Sequence, residues 1–214
     1  MTGEPVTEQT IDWQGSQQVD EATFWEVLSD SVALLRQSEV PFALLGGIAS
    51  SALGRPRWTH DIDVFVRRDD AEEALELFGQ AGYATNRANE YWLFKAVKHG
   101  VLVDLLFKST GGIYLDDEML ARVVTRRVRD LALPILAPED IVVIKALAFD
   151  EEQPHHWWDA LAILAACELD WDYLLRRASH GARRMLSLLL FAQSNDLLVP
   201  DTVIAELYRR IYPA

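Results

Sequence analysis

The sequence predicts an α+β fold: a mixed sheet flanked by helices, with an α-helical domain at its C-terminal end. Three observations carry this. Short apolar runs with strand character, such as Pro41 to Leu45, Asp61 to Val66 and Val101 to Phe107, all fall before Pro138. Helical periods lie between some of them, so strands and helices are mixed in that part. After Pro138 only helical periods follow. No Gly/Ser-rich linker and no internal repeat separates the two parts, so they are expected to pack against each other.

Taken in order, residues 1–20 are polar and without period, and read as a flexible arm. From 21 to 38, Phe24, Val27, Leu28, Val32 and Leu35 recur at helical spacing. Pro41 to Leu45 reads as a buried strand that stops at Gly46-Gly47, and Ile48 to Leu53 as a short helix ended by Gly54, Arg55 and Pro56. A second strand spans Asp61 to Val66. Asp69 and Asp70 are placed to cap a helix from Ala71 to Gln80. Tyr91 to Val97 and Val101 to Phe107 flank Lys98-His99-Gly100, which suits a hairpin. A shorter strand pair lies around Val123–Val128 and Leu133–Leu136. Helices are expected at Glu139–Phe149, His156–Glu168, Trp171–Ser179, Ala182–Gln193 and Asp201–Tyr212. The division is therefore 1–20 arm, 21–138 mixed α/β domain and 139–214 helical domain.

Composition narrows the class. The chain has 214 residues, 50% hydrophobic and 25% charged, as a globular protein does. Its longest apolar runs, such as Met185 to Ala192, are far shorter than the roughly 20 residues of a membrane span. The N-terminus has no basic stretch followed by an apolar one, so a cytoplasmic location is expected. Cys167 is the only cysteine, which excludes an internal disulfide and a cysteine metal cluster. A net charge of −13 argues against broad nonspecific nucleic-acid binding. Local basic patches remain, at Arg122, Arg126, Arg127 and Arg129 and at Arg176, Arg177, Arg183 and Arg184. These read first as solvated faces, and otherwise as a rim for acceptor phosphates. Trp157 and Trp158 read as helix packing, and Cys167 as an inert core residue.

The chemistry concentrates between Leu44 and Val66. On a strand, Asp61 and Asp63 point to the same side, roughly 6.6 Å apart. That spacing lets two carboxylates share a cation or flank two. Asp104 lies in VLVDLLF, apolar on both strand faces. A buried carboxylate without a partner costs several kcal/mol or becomes neutral, so Asp104 needs a cation or donors. A metal shared with Asp61 and Asp63 would serve, and magnesium suits carboxylate, water and phosphate oxygens. His155 and His156 are adjacent and lack the spacing of a zinc set. Gly46-Gly47, leading into a helix, offers backbone N–H groups to an anion.

The order of a strand, Gly46-Gly47, a short helix, Arg57, Thr59, Asp61-Ile62-Asp63 and a later strand Asp104 resembles the DNA polymerase β-type nucleotidyltransferase superfamily. GGIASSALGRPRWTHDIDVFV is most similar to its AbiEii-like, minimal-nucleotidyltransferase branch, which includes type IV toxin components. The resemblance implies the nucleotidyltransferase fold, with Asp61, Asp63 and Asp104 as catalytic residues holding two Mg2+ ions. Asp104 would also act as base toward the acceptor hydroxyl. It gives Gly46 and Gly47 to the triphosphate, and it gives Lys145, in a helix opening Pro138-Glu139-Asp140, to the nucleotide phosphates. Read from the residues alone, Lys145 is equally a lysine snorkelling from an apolar stripe. Ser50, Arg57, Thr59 and Asp159 are further candidates. Asp159 matches the branch's second-domain aspartate, but histidines 155 and 156 stand where the branch has a basic and an acidic residue.

Three functions follow as expectations. The leading one transfers a nucleoside monophosphate from an NTP to a hydroxyl of tRNA or protein, under control of an antitoxin protein. The second modifies an antibiotic of aminoglycoside or lincosamide type, a small cationic molecule that the negative charge favours. The third is a non-catalytic relative that binds nucleotide or a partner protein. No membrane partner is expected.

Overall fold

A computed structural model describes residues 11–15 and 19–213 of the chain. Most of the expected arm lies outside the described residues.

Helix α1 (Glu21–Gln37) starts where Asp20 accepts a hydrogen bond from the Thr23 N–H at 3.0 Å. It buries the five apolar residues whose spacing predicted it. The short strand β1 (Phe42–Leu44) leads into α2 (Gly46–Leu53), and then β2 (Asp61–Val66) follows. α2 opens two residues before Ile48, because Gly46 takes φ +65° and turns the chain directly into the helix. α3 (Ala71–Gln80) has the expected bounds but not the expected cap. Asp70 sits at the cap position with α-region backbone, φ −95° and ψ −3°, and its side chain makes no capping bond.

β3 (Ala84–Asn89) was not foreseen. Its sequence, ATNRAN, is polar and lacks alternation, and it lies at the sheet edge, paired only with β4 (Leu93–Lys98). β4 and β5 (Val101–Leu106) form the predicted hairpin, closed by His99 and Gly100 at φ 51° and 81°. α4 (Asp117–Ala121), also unforeseen, is one turn long and capped by Asp116. β6 (Val124–Val128) and β7 (Leu131–Ile135) complete the sheet.

Among the described residues the sheet has seven strands in the order β3-β4-β5-β2-β1-β7-β6. β2 runs parallel to β5 and β1 parallel to β7; the remaining pairs are antiparallel. Ile62, Val64 and Val66 of β2 point into the core and are fully buried, which fixes the register of the aspartates on the other face.

Five helices follow: α5 (Pro138–Ala148), α6 (His155–Ala166), α7 (Trp171–Arg177), α8 (Ala182–Ser194) and α9 (Asp201–Ile211). One apolar cluster includes residues from both sides of Pro138. A buried polar network also crosses it. The Tyr173 hydroxyl donates to Asp140 at 2.8–2.9 Å. Arg177 pairs with Asp140 at 3.0 Å and with Asp116, ahead of α4, at 2.6 Å. Arg122 pairs with Asp170 and lies over the Tyr173 ring, and Arg176 pairs with Glu118. These three arginines thus join the two parts of the chain. Trp157 packs on Phe149 and Phe191, and the Cys167 thiol donates to the Leu53 carbonyl. No described helix is long and apolar enough to cross a membrane.

Removing the Tyr173 hydroxyl leaves the buried Asp140 carboxylate short of a donor. Tyr173→Phe is expected to lower stability by about 1–3 kcal/mol, measured by urea unfolding.

Candidate active site

Parallel pairing of β2 with β5 sets Asp63 directly opposite Asp104, with Asp61 two residues back on the same face. One oxygen from each of the three carboxylates lies within 4.8 Å of the others. Thr59 Oγ1 donates to Asp61 Oδ1 at 2.7 Å and fixes that side chain. Asp104 Oδ1 is buried without a hydrogen bond. The cation paired with it is Lys95, opposite it on β4 at 3.5 Å, and the same ammonium donates to the Trp13 carbonyl at 2.9 Å.

Crowding these charges is unfavourable. Burial first, then the charges of Asp61 and Asp104, push Asp63 up to about 8. Lys145 and the Gly47 N–H pull it the other way. Burial also raises Asp104 to about 6, against the opposing charge of Lys95. An all-oxygen donor set, part-buried, mutually repelling and containing an unsatisfied oxygen, fits a hard divalent cation.

The two glycines are required by what packs on them. A Cβ at Gly46 would come within 1.7 Å of Asp63 Oδ2, in a backbone at φ +65°. A Cβ at Gly47 would meet Thr59 Oγ1 at 2.3 Å. The pair therefore makes room for the protein's own Asp63 and Thr59, in addition to opening α2 toward the cleft.

The facing wall comes from α5 and α6. Lys145 is 4% exposed and lines the cleft, with its ammonium 3.1 Å from Asp159 Oδ2. Asp159 is fully buried and gathers two more cations. Arg55 Nη1 reaches it at 2.6 Å; Arg57 donates through Nε at 3.2 Å and Nη2 at 3.0 Å. Burial alone would raise the Asp159 carboxyl, but the Arg57 hydrogen bonds and the Lys145 charge outweigh it and hold it well below the usual range. Between the walls is a cleft of about 420 Å³, lined by Gly46, Gly47, Asp61, Asp63, Arg57 and Lys145 among others.

Most of the sequence candidates thus meet at one place. Ser50, Asp104 and Asp159 do not themselves line the cleft: the Ser50 hydroxyl donates back to the Gly46 carbonyl at 2.9 Å, Asp104 adjoins the lining Asp61 and Asp63, and Asp159 is bound to the lining Lys145 and Arg57. Residues the sequence reading did not single out also surround it. Lys95 was legible in principle, because counting back from the Lys98–Val101 pair at the turn puts it opposite Asp104. Arg55 read only as a helix end. Gln14 and Gly15, in the segment read as an arm, line the cleft.

A family model, "Nucleotidyl transferase of unknown function (DUF2204)", matches residues 25–179. The chain belongs to this family. This nucleotidyltransferase membership carries the superfamily resemblance; it does not carry the narrower AbiEii-like branch. Two solved structures of ANT(2″)-Ia give the same fold. The solution structure of the antibiotic-resistance factor ANT(2″)-Ia aligns with TM-score 0.55 at 16% identity, over 82% of this chain and 100% of that one. A crystal structure of ANT(2″)-Ia in complex with adenylyl-2″-tobramycin aligns with TM-score 0.54 at 17% identity, over 75% and 98%. A lincomycin-bound structure of the lincosamide adenylyltransferase LnuA gives TM-score 0.49 at 15% identity, over 71% and 100%. No curated protein matches the sequence significantly.

Two predictions follow from this nucleotidyltransferase's geometry. Asp63 takes up a proton on folding, from its ordinary 3.8 to about 8. In chelator, the stability it contributes is complete below about pH 4 and is lost as pH rises through about 8. The melting-temperature gain of Asp63→Asn over wild type is therefore expected to grow steadily from about pH 4 and to level off above about pH 8. Gly46→Ala is expected to cost about 1–3 kcal/mol by overpacking against Asp63, measured by chemical denaturation.

Proposed function

We propose that this chain transfers a nucleoside monophosphate from an NTP to an acceptor hydroxyl, with release of pyrophosphate and with Mg2+ as the metal. The observation that carries the reading is one cleft with opposed walls: three carboxylates on β2 and β5, and the Lys145–Arg57 cations held over Asp159. A triphosphate with a divalent cation has that same alternation of charge.

In this reading Asp61, Asp63 and Asp104 would hold two metal ions. When bound, the metal supplies neutralisation of phosphate charge and acidifies an oxygen nucleophile. The chain's own groups do the rest. Gly46 and Gly47 at the start of α2, with Lys145 and Arg57, receive triphosphate oxygens. Asp104 takes the proton of the acceptor hydroxyl. The acceptor oxygen bonds to the α-phosphorus, the bond from that phosphorus to the bridging oxygen breaks, and pyrophosphate leaves with the electron pair. Residues 21–138 form the proposed catalytic domain and 139–214 the helical domain that brings Lys145 and Asp159.

For the acceptor, the leading reading is a hydroxyl of tRNA or protein, as in the toxin-like AbiEii branch, with an antitoxin protein as controlling partner. Local support is the groove lined by Arg183, Arg184 and Arg210, of which Arg210 is paired with Glu206 at 2.8 Å. A second reading, an aminoglycoside- or lincosamide-type antibiotic, is favoured by the net charge of −13 and by the ANT(2″)-Ia fold.

The test is incubation with each labelled NTP and Mg2+ against tRNA, total protein and a set of antibiotics. Label transfer to one class is expected, lost with chelator and in Asp63→Ala. Full activity in Asp63→Ala overturns the reading. Transfer to the antibiotics alone replaces the first acceptor with the second.

A further inference from the structure

His156 has no role in the resemblance, and it stands where a charged residue is expected. Its ring occupies a defined place at the first turn of α6. Nδ1 lies 3.3 Å from Lys145 Nζ, and Nε2 lies 3.0 Å from Gln153 Oε1. An ammonium has only donors, so the Nδ1 facing it must present a lone pair. A neutral ring with a bare Nδ1 carries its proton on Nε2, and that is the atom facing the Gln153 carbonyl oxygen. Both contacts thus select the same tautomer.

The setting agrees. His156 is part-buried, with Lys145 and the His155 ring beside it, the latter at 4.3 Å between centroids. Burial, then the Lys145 charge, push its ring down to about 4, so it stays neutral; Asp159 and Asp150 oppose this weakly. A further cation here would repel Lys145, and a second carboxylate beside Asp159 would complete the neutralisation of the cluster. A neutral acceptor does neither. It orients the ammonium and leaves its charge for an anion.

We infer that His156 is a positioning residue: held as the Nε2–H tautomer by Gln153, it accepts from Lys145 through Nδ1 and, together with Asp159, fixes the ammonium toward the triphosphate. The inference rests on the proposed phosphate role of Lys145. Two anchors on a long flexible side chain remove rotamer freedom before the ligand arrives, which lowers the cost of binding.

The experiment measures binding of non-hydrolysable α,β-methylene analogues of the four NTPs with Mg2+ by calorimetry. His156→Ala is expected to weaken the best analogue about tenfold. His156→Asn, whose Oδ1 stands near the place of Nδ1, is expected to recover to within about threefold of wild type. In a double-mutant cycle, His156→Ala is expected to add nothing once Lys145→Ala is present. Nitrogen-15 NMR of the intact wild-type chain is expected to show His156 neutral with the proton on Nε2, a result independent of any variant's folding.

Wild-type affinity in His156→Ala alongside a loss in Lys145→Ala overturns the inference and leaves the phosphate role standing. An equal loss on either background, or an Nδ1–H tautomer, also overturns it. No effect of Lys145→Ala overturns the phosphate role and the inference with it.

Discussion

The parallel pairing of β2 with β5 sets Asp63 against Asp104, and it does so against electrostatic repulsion. The rest of the site depends on how that repulsion is contained. The apolar face of β2 locks the register, since Ile62, Val64 and Val66 could not turn outward without exposing core surface. Gly46 gives Asp63 the volume its carboxylate needs, and Thr59, packed on Gly47, orients Asp61. On the far strand Lys95 supplies partial compensation to Asp104 while holding the Trp13 carbonyl. A chain that concentrates carboxylates so tightly, and leaves one oxygen unsatisfied, is preorganised for an added positive charge.

The second wall applies the opposite logic. Asp159 carries one negative charge and draws in Arg55, Arg57 and Lys145. The cluster therefore keeps an excess of positive charge in a protein that is acidic overall. Its members come from three places: the loop before β2, α5 and α6. The cleft is thus incomplete without the helical part, and Arg177, held by Asp140 within that part, ties it to Asp116 ahead of α4. In the proposed reaction this matters because metal and phosphate contacts must be positioned together for in-line displacement.

Much of this was legible in the sequence. Asp61 and Asp63 could be placed on one strand face because strand period is two, and Asp104 stood out because an apolar strand rarely carries a carboxylate without cause. The helices after Pro138 announced themselves by apolar spacing. What was hidden depends on tertiary contact. ATNRAN has no alternation, because an edge strand paired on one side need not bury a face. The packing of Asp63 on Gly46 joins residues of two different elements, so the glycine pair suggested backbone approach without revealing what approaches. Asp159 could be aligned to a motif, but its three cations became visible only when the loop at Arg55–Arg57 met α6. His156 showed in the sequence only as a departure from the branch's pattern, since its value lies in the direction of two ring nitrogens.

In the proposed reaction one cleft holds a metal-bound triphosphate between the two walls. The most direct measurement is a crystal structure of the chain with a non-hydrolysable NTP and Mg2+. Metal is expected on Asp61, Asp63 and Asp104, and phosphate oxygens on Lys145 and the start of α2. Nucleotide seated elsewhere, or metal bound away from the three aspartates, would contradict it.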